Sequence, residues 1–276
     1  MVPGLECQSH AAHGAPLDAP PLLFVHGAYC AAWVWEEYFL PWFAQRGWNA
    51  TAISLEGHGD SRGHAWLAAL GIDDFARNVH AVVKTMPRPP VLIGHSMGGF
   101  VVQRYLEIHR QHPPAGVALM ASVPPFGINA SAWRMLTTAP DLLAALNLFQ
   151  ANEHYHPDID QAQRLLFSAD VDRERLRDWV RRFQPESMRA IFDLSMISLF
   201  PVSHLPAVPA LVLGAANDQL IAPHEVVATA CRLGVTAEIL PDMAHLMMLD
   251  TRWETAAAQV EGWLQREFVT VVTSSD

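Results

Sequence analysis

The sequence predicts a parallel, doubly wound α/β sheet, and three observations carry that prediction. Short apolar runs alternate with segments of helical spacing. The runs are hydrophobic throughout rather than at every second residue, as expected of strands covered on both faces. Each run empties into a turn bearing Gly, His, Ser or Asp, at the edge where such a sheet collects its ligand-binding groups. With 276 residues, 51% of them hydrophobic and 17% charged, the chain can bury a core of the size this sheet needs.

The first 20 residues, rich in Pro, Gly, Ala and His, fit one or two short edge strands or an arm. Leu22-Leu23-Phe24-Val25 is the first buried strand and ends at His26-Gly27. Helical spacing runs from Trp33 to about Gln45, with Gly47 as its stop. Asn49–Leu55 reads as the next strand and leads into Glu56-Gly57-His58-Gly59-Asp60-Ser61. Ile72, Phe75, Val79, Val82, Val83 and Met86 mark one apolar helix face, with Asp73 as the expected cap. Pro87–Pro90 break that helix ahead of the strand at Val91, and the segment after Ser96 reads as a helix to about Arg110. Gly116–Ser122 is another strand.

From Val123 to His204 strand-like runs disappear and Leu, Met, Phe and Trp recur at helical intervals, punctuated by Pro157, Pro185 and Pro201. Leu176, Trp179, Val180 and Phe183 form an inner face, and Arg173, Arg175, Arg177, Arg181 and Arg182 a solvated outer one. The expected organisation is a core of residues 1–122 and 205–276 with a helical cap at 123–204. The core resumes with the strand Pro209–Gly214 and a helix from Pro223 to Leu233, which has Pro in its first turn and Gly234 at its end. Val235, Ala237 and Ile239 alternate as the last strand. The closing helix starts near a Thr251-Arg252-Trp253-Glu254 capping box, buries Trp253, Val260, Leu264 and Phe268, and frays after Thr270.

Composition removes several functions. A net charge of -10 is the wrong sign for neutralising nucleic-acid phosphates. Lys84 is the single lysine; Ala81-Val82-Val83 before it are not the glycines of a phosphate-binding loop, and a helix end is a poor place for Schiff-base chemistry. Cys7, Cys30 and Cys231 show neither C-x-x-C spacing nor an even disulfide framework, and Cys231 is expected to be buried and reduced. No signal-peptide pattern and no membrane-spanning apolar run are read, so the expected compartment is the cytoplasm. His154 and His156 are too few to imply a metal site, and neither metal nor cofactor is expected.

The chemistry centres on Gly94-His95-Ser96-Met97-Gly98, a G-x-S-x-G turn between a strand and a helix. That geometry lifts the serine hydroxyl above the sheet and aims the positive helix end at it. A serine needs a base, and the base needs an orienting carboxylate. His245 follows the last strand and is the expected base. Asp218, in the turn after the 209–214 strand, is the expected acid. It is favoured over Asp242, which shares a short loop with His245, while the turn Ala121-Ser122-Val123-Pro124 offers no carboxylate. The expected oxyanion donors are the backbone N–H groups of Met97 and Ala28, with Tyr29 as the alternative to Ala28.

The order Ser96, Asp218, His245, together with His26-Gly27 and Gly57-His58-Gly59-Asp60-Ser61, resembles the α/β-hydrolase superfamily from Leu22 onward. The resemblance implies an α/β-hydrolase core with a helical cap inserted after the sixth strand. A finer resemblance, to the plant methylesterase and hydroxynitrile-lyase group, rests on His26–Trp35 and Ala244–Leu249. The lyases carry a lysine near their histidine, and here Met243 and its neighbours supply none.

These features point to a cofactor-free serine esterase for a small to medium, mainly apolar substrate. A C–C bond hydrolase, lactonase, thioesterase or perhydrolase could use the same residues, and a non-catalytic receptor could retain them. Tyr29, His95, Phe126, Met135, Phe192 and Met196 are expected around the substrate, with Leu136, Phe167 and Met188 as further apolar candidates. The expected partner is a small-molecule ester, with neither nucleic acid nor a membrane span; a homo-oligomer is left open.

Overall fold

The computed structural model describes residues 2–151, 158–196 and 205–269. Among the described residues seven strands form one sheet: β1 (Cys7–His10), β2 (Leu22–Val25), β3 (Ala50–Ile53), β4 (Val91–His95), β5 (Gly116–Met120), β6 (Ala210–Ala215) and β7 (Ala237–Leu240). Their spatial order is β1-β3-β2-β4-β5-β6-β7. Only β1 runs antiparallel, pairing Cys7 with Ile53 and His10 with Ala50 at the sheet edge. The parallel register places Val25 beside Ile53 and Gly94, and His95 beside Met120.

Alternation within the apolar runs supplies both faces of the sheet. Leu22, Phe24, Ile93, Ala118 and Leu213 go to one side, where α1 (Trp33–Glu36), α2 (Phe39–Gln45) and α11 (Trp253–Phe268) pack. Leu23, Val25, Leu92, Val117 and Val212 go to the other, under α3 (Ile72–Val83), α4 (Met97–Ile108) and α10 (Pro223–Leu233). On the first side Phe24 contacts Trp35, Phe39 and Phe43, with ring centroids 5.0, 6.3 and 5.6 Å apart. Between β5 and β6 the described chain is helical: α5 (Asn129–Thr138), α6 (Pro140–Ala151), α7 (Ile159–Leu166), α8 (Arg173–Val180) and α9 (Met188–Met196). No helix among the described residues is long and apolar enough to cross a membrane.

Several local expectations are corrected. The amino-terminal arm contributes one edge strand, within what was expected of it, and the helical insertion follows the fifth described strand, not the sixth. The helix expected over 33–45 is two helices, because the ring of Pro41 conflicts with the carbonyl four residues back, at Glu37. Asp73 does not cap α3; Asp74 accepts the Gly71 N–H, and Asp73 pairs with Arg104 at 2.6 Å. The Thr251 capping box does not form either, since Thr251 Oγ1 donates to Asp170 at 2.9 Å and Asp250 accepts the Arg252 N–H. Cys231 is exposed: α10 buries Val226, Thr229 and Ala230, and one further residue turns the thiol outward. Of the outer arginines on α8 and just beyond it, Arg182 lies 4.2 Å over the Trp33 ring. The end of α10 is as expected, with Gly234 left-handed at φ 73°. The tail after Thr270, the histidines 154 and 156, and prolines 157 and 201 lie outside the described residues.

Candidate active site

β4 delivers Ser96 to the carboxyl edge of the sheet, and α4 begins at the next residue. Ser96 has φ 52° and ψ -119°, a conformation costing a non-glycine residue on the order of 1–3 kcal/mol. The backbone on either side fixes it: Ser96 N–H donates to the Met120 carbonyl at 3.0 Å, and Val123 N–H donates to the Ser96 carbonyl at 3.1 Å. The flanking glycines are required by space. A Cβ on Gly98 would lie 2.3 Å from the His26 carbonyl oxygen, and one on Gly94 2.6 Å from that of Gly98. Among the described residues the other non-glycines with positive φ are Tyr29, Ala121 and Asp242, each in a turn just beyond the carboxyl end of a strand.

His245 and Asp218 meet the serine from the turns after β7 and β6. His245 Nε2 lies 3.0 Å from Ser96 Oγ, and His245 Nδ1 lies 2.7 Å from Asp218 Oδ2. The second carboxylate oxygen of Asp218 accepts the N–H groups of Leu220 at 2.7 Å and Ile221 at 2.9 Å, which orients the group. Asp242, the rival acid, is solvent-exposed. The His245 loop is tied down at both ends: Ala244 N–H donates to buried Asp250 at 3.2 Å, and Leu246 N–H to the Leu166 carbonyl in the insertion at 2.9 Å. His95 Nε2 lies 2.9 Å from the His245 carbonyl oxygen. Burial first, then the neighbouring His245, holds the His95 pKa well below its ordinary value, so the ring is neutral and Nε2 is the donor.

The turn after β2 supplies the expected oxyanion side. Leu55 N–H donates to His26 Nε2 at 3.0 Å, which leaves the His26 proton on Nδ1 to donate to the Gly27 carbonyl at 2.8 Å. Burial, with the adjacent His58 adding to it, depresses the His26 pKa to about 3. A planar peptide points its N–H opposite its C=O, so the Gly27 carbonyl held by His26 directs the Ala28 N–H away from that ring. Met97 opens α4, where helix N–H groups have no intrahelical acceptor. The alternative donor, Tyr29 N–H, is given to Glu186 at 3.3 Å, which leaves Ala28 the better placed of the two.

Above Ser96 and His245 is a cleft lined by Ala28, Tyr29, Cys30 and His95 from the core and by Leu142, Ala145, Leu146, Phe149, Ala162 and Leu165 from α6 and α7. Tyr29 and His95 are therefore at the cleft, as expected from the sequence. Phe126, Phe192, Met188 and Leu136 are instead exposed. Met135 is buried against Leu142 and Leu165, beneath the lining rather than in it, and Phe167 stacks on Trp179. Met196, half-buried at the end of α9, is not part of the lining. The apolar wall comes from α6 and α7, whereas most of the apolar residues expected there lie on α5 and α9. Among the described residues no cluster of His, Cys, Asp and Glu could hold a metal ion. A serine hydroxyl so bonded can pass its proton to an imidazole while attacking a carbonyl, with a carboxylate to stabilise the resulting imidazolium.

Nothing in the sequence marks Glu186, Asp250 or the His95–His245 bond. His58 was visible inside its glycine turn, but nothing there pointed to Glu186, 128 residues away.

A family model described as the alpha/beta hydrolase family matches residues 22–259. A bifunctional esterase/perhydrolase of Acinetobacter calcoaceticus is 26% identical over 226 residues, covering 76% of this chain and 78% of the relative. Among solved structures, a Mycobacterium tuberculosis protein aligns with TM-score 0.73 at 19% identity, over 97% of this chain and 94% of that one. A hydrolase from Oleispira antarctica aligns with TM-score 0.70 at 16% identity, over 95% and 94% of the two chains.

Proposed function

The chain belongs to the alpha/beta hydrolase family, and on that premise we propose that it is a serine hydrolase cleaving carboxylic esters with a mainly apolar acyl or alcohol group. One observation carries the reading: the unbroken run from Asp218 Oδ2 through both ring nitrogens of His245 to Ser96 Oγ, with contacts of 2.7 and 3.0 Å, beneath an apolar cleft.

In this mechanism Ser96 Oγ attacks the ester carbonyl as His245 Nε2 takes its proton. Negative charge moves to the carbonyl oxygen, which the N–H groups of Ala28 and Met97 receive. Collapse breaks the bond to the alcohol, which leaves with the proton from His245, and Ser96 holds the acyl group. Water then gives a proton to His245 and attacks the acyl carbon; the acid leaves and Ser96 regains its proton. Asp218 holds the ring tautomer and balances the imidazolium charge. The helical insertion acts as a cap that supplies most of the apolar wall. The free thiols of Cys7, Cys30 and Cys231 suit a reducing compartment such as the cytoplasm.

A second reading uses the same acyl-enzyme with hydrogen peroxide in place of water, giving a peracid. The esterase/perhydrolase name of the Acinetobacter relative favours it. A panel of nitrophenyl esters of increasing acyl length tests the main reading, with Ser96→Ala as control and peroxide added in parallel. Turnover of apolar esters lost in Ser96→Ala is the expected result. A preference for charged acyl groups would contradict the apolar substrate class.

A further inference from the structure

The segment Gln184-Pro185-Glu186-Ser187, between α8 and α9, reaches the sheet edge beside the oxyanion turn with no task in the reaction above. Glu186 is only 3% exposed. Its Oε2 accepts from His58 Nε2 at 3.0 Å and from the Tyr29 N–H at 3.3 Å, and its Oε1 accepts the Ser187 N–H at 2.6 Å. The other backbone group of Tyr29 is held from the same segment, its carbonyl accepting the Gln184 N–H at 3.0 Å. The Gln184 side chain brackets His58, donating to the Gly57 carbonyl and accepting the Gly59 N–H, both at 2.9 Å.

Two facts make this more than a seam between two parts of the fold. Tyr29 has φ 65°, a conformation that a tyrosine keeps only when its surroundings impose it. The carboxylate that holds its N–H is buried and paired with a buried imidazole, a costly pair where packed apolar side chains could fill the same space. Burial opposes a charge on His58, but the Glu186 carboxylate at Nε2 and the Glu56 carbonyl 3.2 Å from Nδ1 outweigh it, and the pKa is raised. His26, with its ring centroid 5.0 Å away, is neutral, and Phe75 covers the remaining side.

We propose that Glu186 is a positioning residue for the oxyanion turn. The planar Ala28–Tyr29 peptide is fixed at its N–H by Glu186, and the Gly27–Ala28 peptide is fixed at its carbonyl by His26. With both peptides held, the direction of the Ala28 N–H is set. The insertion thus contributes to the reaction centre through a residue that touches neither substrate nor serine. The kinetic consequence rests on the serine-hydrolase reading; the structural one does not.

The test compares E186A, E186Q and E186D in the full chain by two readouts. The first is kcat per serine titrated with a fluorophosphonate, which discounts misfolded protein. E186A is expected to lower it about 10- to 100-fold, short of the loss for deleting an oxyanion donor outright, with KM changed less than about threefold. E186Q keeps an acceptor oxygen at the same reach and is expected to restore most of the rate. E186D keeps the charge but loses the reach and is expected to stay slow. If E186A does not fold, this Gln–Asp contrast decides, and equal rates overturn the proposal. The second readout is hydrogen exchange at the Tyr29 amide, which needs no turnover and stands even if no ester is hydrolysed. Exchange at least about tenfold faster in E186A or E186D than in the wild type is expected. Unchanged protection, or unchanged kcat per titrated serine with only a lower melting temperature, overturns the positioning role.

Discussion

His95 donates from Nε2 to the carbonyl oxygen of His245 at 2.9 Å, so the residue just before Ser96 carries the loop that brings His245 to it. Ser96 and His245 are thereby referenced to one another through backbone and ring, independently of the bond between their side chains. His95→Phe preserves ring volume and removes the donor, leaving a buried carbonyl unpaired at a cost of about 1–3 kcal/mol. The expected result is a lower melting temperature and a fall in kcat larger than the change in KM. An unaltered kcat would show that the loop holds its position without the bond.

The buried histidines also set a direction for pH. Folded His26, depressed to about 3 from 6.5, refuses a proton that the unfolded chain accepts between those values. Its contribution to stability is whole above pH 6.5 and is lost as pH falls toward 3, an effect on the order of 5 kcal/mol. His95 acts in the same sense. His58 acts in the opposite one: its raised pKa gives stability below pH 6.5 that fades as pH rises through the folded value. In an NMR titration the His26 ring is expected to titrate near pH 3, the His95 ring well below 6.5 and the His58 ring above 6.5. A midpoint for His26 near 6.5 would contradict the buried neutral tautomer.

Asp218 orients His245 with one oxygen and closes its own turn with the other. Asp218→Asn keeps the size and one acceptor but favours the wrong imidazole tautomer, and kcat is expected to fall by about 10⁴. Asp218→Ala adds a loss of stability, because the Leu220 and Ile221 N–H groups lose their acceptor. Comparable kcat values for Asp218→Asn and wild type would assign the orienting role elsewhere.

The cleft wall predicts which substitutions change substrate preference. Leu142 and Phe149 line it, so Leu142→Trp is expected to cut turnover of long acyl esters at least about tenfold while sparing acetyl esters. Phe192, 56% exposed, is outside it, and Phe192→Ala is expected to leave the acyl-length profile unchanged. A shifted profile in Phe192→Ala with none in Leu142→Trp would move the substrate site toward α9.

The features legible in the sequence are those that a few adjacent residues determine. Gly94 and Gly98 announced the tight turn because no other residue fits beside those backbones, and Pro223 and Gly234 bounded α10 because only such residues suit those positions. The strands were legible since a sheet covered on both faces has no polar alternation. What was hidden depends on distant contacts. Apolar residues on α5 and α9 did not show which of them turn inward or against what: Met135 is buried beneath the cleft lining, while Phe192 faces solvent. Cys231 lies one helical step beyond buried Ala230, at the boundary between the two faces of α10. Glu186 and His58 find each other only after the chain has closed, and nothing local to Gln184–Ser187 distinguishes it from another loop.

Ser96 as the nucleophile of a working hydrolase can be tested chemically. The most direct measurement is intact-mass and peptide mapping after treatment with a fluorophosphonate, alongside ester turnover. Stoichiometric labelling of wild type at Ser96, slowed in His245→Ala and absent in Ser96→Ala together with all turnover, is the predicted result. Native protein that hydrolyses esters while Ser96 stays unlabelled, or Ser96→Ala that retains wild-type turnover, would contradict it.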